Sequence, residues 1–104
     1  MSGLDDTSFT TRSSSATTNV LTQNDWNLLL VSLTGATAVT LPAGSTVSPG
    51  REYTVYKDAS AQTVTITPAS GTVDGGANTT LASGAAHAKC FVTDGTNWFT
   101  ISAN

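Results

Sequence analysis

One cysteine and one histidine are all that this 104-residue chain offers to thiol or imidazole chemistry. Cys90 stands alone, so no intrachain disulfide can form. Its strand-like surroundings, HAKCFV, favour a small buried hydrophobe over a reactive thiol. With only His87 beside it, a structural zinc within one chain lacks its ligands. Any Ser-His-Asp or Cys-His machinery would have to use His87. Cys90 follows three residues later, which on a strand sends the two side chains to opposite faces. Positive charge is equally scarce: Arg12, Arg51, Lys57 and Lys89 are scattered, and the net charge is -3. Nonspecific nucleic-acid binding needs clustered Lys and Arg, so this charge argues against it. The chain opens without a basic segment followed by an apolar one, and no apolar run approaches roughly 18 residues. The expectation is a protein made in the cytoplasm that does not enter a membrane.

Carboxylates are few, and most stand where turns need them. The set is Asp5, Asp6, Asp25, Glu52, Asp58, Asp74 and Asp94. Asp58, Asp74 and Asp94 occupy KDAS, VDGG and TDGT, contexts in which Asp bonds local backbone and tolerates left-handed geometry. Gly75 and Gly95 complete two of those turns. No alternating Asp series with a central glycine is present, so a dedicated calcium loop lacks its ligands. The glycines of GTVDGGAN lie between strand-like pieces, not ahead of a helix as a phosphate loop requires. The expectation is no enzyme activity, no catalytic residue, no cofactor and no metal.

What the chain does contain is threonine, serine, alanine and glycine, interrupted by short apolar runs. Low charge combined with many β-branched residues favours strands with solvated faces and disfavours helix. WNLLLVSL places Trp26, Leu28, Leu30 and Ser32 on one face of a strand, and Leu29, Val31 and Leu33 on the other. Apolar side chains on both faces imply a strand covered from both sides. TAVTLP stops at Pro42, and AGSTVSPG is a loop. REYTVYKD points Tyr53 and Val55 one way, and Thr54 and Tyr56 the other. TVTITP is the cleanest alternation, with Val64 and Ile66 inward and threonines outward. AHAKCFVT sets Ala88, Cys90 and Val92 on one face. NWFTIS sets Phe99 and Ile101 opposite Trp98. Asp94-Gly95 reads as the tight turn of the last hairpin, with positive φ selecting both residues. The regular spacing of strands and turns predicts an all-β domain over 19–104: a compact sandwich, a barrel or a prism-like fold. Residues 1–18 are polar and aperiodic, and are expected to form an extended or flexible N-terminal arm.

The ordered series NVLTQNDWNLLLVSLTGATAVTLPAG, GREYTVYKDAS, TITPASGTVDGG and FVTDGTNWFTIS resembles a β-domain of tailed-phage virion proteins, found in tail fibres and in small capsid-decoration (cement) proteins. The shared elements are Asn24-Asp25, Thr40-Leu41-Pro42, Gly50-Arg51 with Tyr53, Lys57-Asp58, Ile66 to Pro68, Val73 to Gly75, and Asp94 to Trp98. The likeness covers residues 19 to 102. It implies an all-β virion domain, commonly homotrimeric and without enzyme activity.

Fibres usually carry such a domain within a much longer chain, so a free-standing copy suits a decoration protein better. The expected function is therefore structural: a homotrimer on the outer capsid surface that binds the major capsid protein and stabilises the shell. Leu28, Leu30, Phe91, Trp98 and Phe99 are the expected core or trimer-packing residues. Leu4, Phe9 and Arg12 of the arm are expected to contact the capsid or a neighbouring subunit. The alternative is a tail-fibre or receptor-binding module for host-surface saccharide, because aromatic faces and small polar groups suit sugars.

Overall fold

The computed structural model describes residues 10–104, so Leu4 and Phe9 lie outside the described residues. Among the described residues nine strands follow one another: β1 (Thr10–Ser14), β2 (Thr18–Val20), β3 (Asp25–Leu30), β4 (Thr37–Leu41), β5 (Glu52–Lys57), β6 (Val64–Pro68), β7 (Thr79–Leu81), β8 (His87–Thr93) and β9 (Trp98–Ala103). A 3-10 turn at Gly44–Thr46 is the one helical element among the described residues. The all-β expectation therefore holds. The stretch 10–18, read from sequence as arm, contributes β1 to the larger sheet and the first residue of β2.

The strands form two mixed sheets that do not close into a barrel. The larger has the order β9-β8-β5-β3-β1, and the smaller β2-β4-β6-β7. From β1 to β6 every connection crosses from one sheet to the other. Strands two apart in sequence therefore run in the same direction. Hence β1, β3 and β5 are parallel in one sheet, and β2, β4 and β6 are parallel in the other. The chain thus winds like a short solenoid. It then reverses, adding β7 to β6 and the β8–β9 hairpin to β5, all antiparallel.

The core is the dry space between the sheets. Leu28, Leu30, Tyr53, Val55, Phe91 and Trp98 from the larger sheet meet Val39, Leu41, Val64, Ile66 and Leu81 from the smaller. Each such side chain contributes roughly 1.5–3 kcal/mol by leaving water. Tyr53 and Trp98 form an edge-to-face pair, with centroids 5.4 Å apart and planes at 69°. Both keep their polar atoms satisfied: Tyr53 Oη donates to the Thr22 carbonyl at 2.8 Å, and Trp98 Nε1 to the Pro42 carbonyl at 2.9 Å.

The alternation in β4, β5, β6 and β8 is as the sequence reads it, but β3 departs at both ends. Trp26 does not share the inward face with Leu28 and Leu30. The register against β1 slips between Thr10 and Thr11, which pair with Asp25 and Asn27. The slip makes Trp26 a bulge residue and leaves it 43% exposed, while Asp25 turns inward and is buried. At the other end, Ser32 has a φ of 53°, breaking the strand so that Leu33 enters the core. Leu29 stays on the outer side and is only half-buried.

Lys57, which the sequence places beside a turn, is fully buried at the end of β5. Its ammonium donates to the carbonyls of Asp58 (2.8 Å), Ser60 (3.0 Å) and Ala85 (2.8 Å). Three N–H groups meet three acceptors, which offsets desolvation and ties two loops to the end of β5. Replacing Lys57 by Met should cost about 3 kcal/mol, because three carbonyls lose a charged donor at once. Urea unfolding checks this; an unchanged midpoint would show that the loops do not depend on the ammonium.

Candidate functional site

The turns position everything on the larger sheet, and their aspartates act on backbone. Asp58 accepts from the backbone N–H of Ser32 (2.9 Å) and Ser60 (3.0 Å). Those bonds to Ser32 and Ser60 hold its carboxyl below the ordinary aspartate range. Asp74 adopts a φ of 53° beside Gly75 at 80°. Its carboxylate accepts from the Thr100 hydroxyl (2.6 Å) and the Thr100 N–H (2.8 Å), the two contacts that lower it most. This clamps the 73–76 turn to β9.

The β8–β9 connection is longer than the two-residue turn that the sequence suggests. Thr93 pairs with Trp98, leaving four residues between the strands. Gly95 alone of these takes positive φ, at 101°. Asp94 is there for its carboxylate, which accepts from the N–H of Asn97 and of Thr96, both at 2.9 Å. These bonds lower its pKa, that from Asn97 the most.

Asp25 has a different task. Burial pushes its carboxyl up, but hydrogen bonds from Arg12 and Thr22 and the Arg12 charge outweigh this and hold it below the ordinary range. Arg12 Nε lies 3.1 Å from Asp25 Oδ1, and Arg12 Nη2 donates to the Val20 carbonyl. Arg12, expected to contact the capsid or a neighbouring subunit, is engaged within its own chain, where it links β1 to the end of β2.

The expected packing residues divide into two groups. Leu28, Leu30, Phe91 and Trp98 are fully buried between the sheets. Phe99 is instead 41% exposed, on the outer side of β9. Register places it opposite Val92, and Val92 opposite Glu52. The next outward row joins Cys90 to Thr54 and Asn27, and the row after it joins Ala88 to Tyr56 and Leu29. Ile101, in the register shift of β9, is 54% exposed. Phe99, Ile101, Val92, Cys90, Tyr56 and Leu29 therefore concentrate apolar surface on one side of the sheet, with Glu52 at its rim. The smaller sheet turns outward mainly Thr40, Thr65, Thr67 and Thr80, with Ala38 and Val20. The two outer faces thus differ: one is aromatic and aliphatic, the other hydroxylated.

The candidate reactive groups are not brought together. His87 donates from Nδ1 to the backbone oxygen of Asn104 at 2.8 Å, which ties Asn104 to β8. Cys90 lies on the opposite side of β8, with Sγ 3.7 Å from Glu52 Oε1. Burial pushes its thiol up, the contact with Thr54 offsets part of this, and the Glu52 charge adds a smaller rise, so the proton stays on sulfur. Among the described residues, no group of three or more His, Cys, Asp or Glu could hold a metal ion.

Sequence reasoning missed the aspartate–arginine link and the bulge at Trp26. The signal for the former was Arg12 within a polar stretch, but its partner lies across a parallel pairing that spacing does not reveal. No family model matches the chain. No curated protein matches it either.

The lowered carboxyls carry a pH prediction. A group whose folded pKa is depressed stabilises the fold above its unfolded value, near about 3.9, and loses that contribution as pH falls through the folded value. Thermal stability should therefore be flat between about pH 5 and 8 and should fall on further acidification, while above about pH 8.5 the raised Cys90 thiol makes it decline. Asp74→Asn should flatten part of that acid limb, measured by melting followed by circular dichroism. An acid limb of unchanged steepness in Asp74→Asn would remove Asp74 from the account.

Proposed function

We propose that the protein is a structural component of a tailed-phage virion, a capsid-decoration protein that binds the outer capsid surface as a homotrimer and reinforces the shell. The sequence-level support is the ordered set of motifs between Asn24 and Trp98. The observation that carries the self-association part is the outer face of the larger sheet. There Phe99 and Ile101 stand exposed beside half-buried Val92, Cys90, Tyr56 and Leu29. A small domain gains by covering such a face, because contiguous apolar patches are characteristic of contact surfaces.

The mechanism follows from small area used several times over. One subunit of this size offers a capsid little contact surface. Three copies held together make the second and third contacts intramolecular, so overall affinity rises without any new contact. The well-tied turns suit this role, since a surface that is already ordered loses little entropy on docking.

Sedimentation or light scattering should give a particle of three times the 10.6 kDa of the chain. Phe99→Ser combined with Ile101→Ser should shift that particle toward monomer while the fold is kept, since neither side chain lies in the core. Purified capsids of a matching phage should retain the wild-type protein on pelleting and retain the double variant at least about tenfold less. A stable monomer that ignores capsids would overturn the reading.

A further inference from the structure

β1 lies at one edge of the larger sheet and pairs on a single side, with β3. Alone among the nine strands of the described residues, it contributes no buried residue. We propose that β1 is a strap that opens from β3 and closes on it as a unit while both sheets stay folded, with the Arg12–Asp25 pair as its latch. This is a property of a single chain, separate from self-association and from capsid binding.

The first reason is how little β1 takes with it when it leaves. Thr10, Thr11 and Ser13 are exposed, and Arg12 and Ser14 are half-buried. Register sets Arg12 beside Leu28 and Ser14 beside Leu30, but both leucines are paired on their other side with β5 and stay in the core between the sheets. Opening gives up a short ladder of backbone bonds and little apolar area. Segments with few buried apolar contacts open at a free energy well below that of global unfolding.

The opposite edge of the same sheet shows what a pinned strand has. β9 buries Trp98, whose indole donates to the Pro42 carbonyl at 2.9 Å. Its free edge is bonded as well, by Trp98 N–H to Thr72 and by Thr100 N–H to Asp74. The edges of the smaller sheet, β2 and β7, bury Asn19 and Leu81. β1 has none of these anchors.

The second reason is where its strongest tie ends. Arg12 Nε donates to Asp25 Oδ1 at 3.1 Å, and Nη2 to Asp25 Oδ2 at 3.4 Å and to the Val20 carbonyl at 3.2 Å. The side-chain bonds from β1 to the β3 segment are otherwise neutral: Thr11 Oγ1 accepts from Asn27 Nδ2 at 3.0 Å, and Thr10 Oγ1 donates to the Asn24 carbonyl at 3.4 Å. A guanidinium fork on a carboxylate outweighs either. Asp25 is held in place without β1. Its Oδ2 accepts from the Thr22 N–H (2.9 Å) and hydroxyl (3.3 Å), and its own N–H donates to the Thr22 carbonyl (3.2 Å). That carbonyl also accepts from Tyr53 Oη of the core. The body's half of the latch therefore keeps its position when the strap opens. A buried carboxylate left with Thr22 alone then favours return of the guanidinium.

Amide hydrogen exchange of the full chain, resolved by NMR, tests this. The Thr10 N–H, bonded to Asn24, and the Val31 N–H, bonded to Ser14, mark the two ends of the pairing. Both should show one common protection, at least about a hundredfold below that of amides in the β5–β8 pairing. Asp25→Asn keeps an acceptor for Thr22 but loses the charge, and should lower protection at Thr10 and Val31 by a further tenfold or so, roughly the loss of one charged hydrogen bond. Arg12→Lys keeps the charge without the fork and should fall between Asp25→Asn and the wild type. Wild-type protection as high in β1 as in β5–β8 overturns the proposal. So does an Asp25→Asn effect that is absent at Thr10 and Val31, or that spreads evenly over both sheets. None of these outcomes bears on trimer mass or capsid retention, so the two readings fail separately.

Discussion

The indole of Trp98 is the interaction on which the rest of the structure depends. It lies on the larger sheet, yet its Nε1 bonds the Pro42 carbonyl at the end of the smaller sheet's β4. Its own N–H donates to Thr72, and its carbonyl accepts from Asp74. One residue thus joins the last hairpin, the 72–74 turn and the opposite sheet. Its edge-to-face contact with Tyr53 extends the chain of support to Thr22 at the base of β3, through the tyrosine hydroxyl. In a core this thin, a large side chain with a satisfied polar tip holds two sheets in register where several leucines would allow them to slide.

Around that seam the fold separates its tasks by face. Inward positions carry leucine, valine, isoleucine and the aromatic pair. The outer side of the smaller sheet is threonine, which solvates a strand without charge. The outer side of the larger sheet is apolar at β8 and β9, and this asymmetry underlies the proposed self-association. Such a division is economical in a chain with only 11% charged residues, since neither outer face relies on ion pairs. The buried charges serve architecture instead. Lys57 ties loops through carbonyls, and Asp25 is tied to β1 by the partly exposed Arg12, each buried group keeping hydrogen bonds that would otherwise be lost on burial.

Much of the strand layout was legible in the sequence. TVTITP could only alternate as it does, and TDGTNWF announced a hairpin, because threonine, valine and Asp-Gly have strong local preferences. β1 was not legible: TTRSS has no apolar alternation, and it becomes a strand only because β3 offers an edge for parallel pairing. The fates of Trp26 and Leu33 were hidden for a related reason. Period-two counting assumes an unbroken strand, and both the bulge at Trp26 and the positive φ at Ser32 break the count. The outer apolar face was illegible as a patch as well. It gathers Phe99, Val92 and Tyr56 from three separate strands, and no local pattern records their meeting.

By itself, the sequence determined the β class, the inward residues of most strands and the turn positions, because each follows from preferences acting over two to four residues. Tertiary structure alone decided that consecutive strands alternate between sheets and therefore run parallel. It also decided that a lysine is buried, that Arg12 folds back on Asp25, and which of two tryptophans is core and which is surface. Those outcomes depend on contacts between residues far apart in the chain. There, burial and hydrogen-bond satisfaction outweigh local preference.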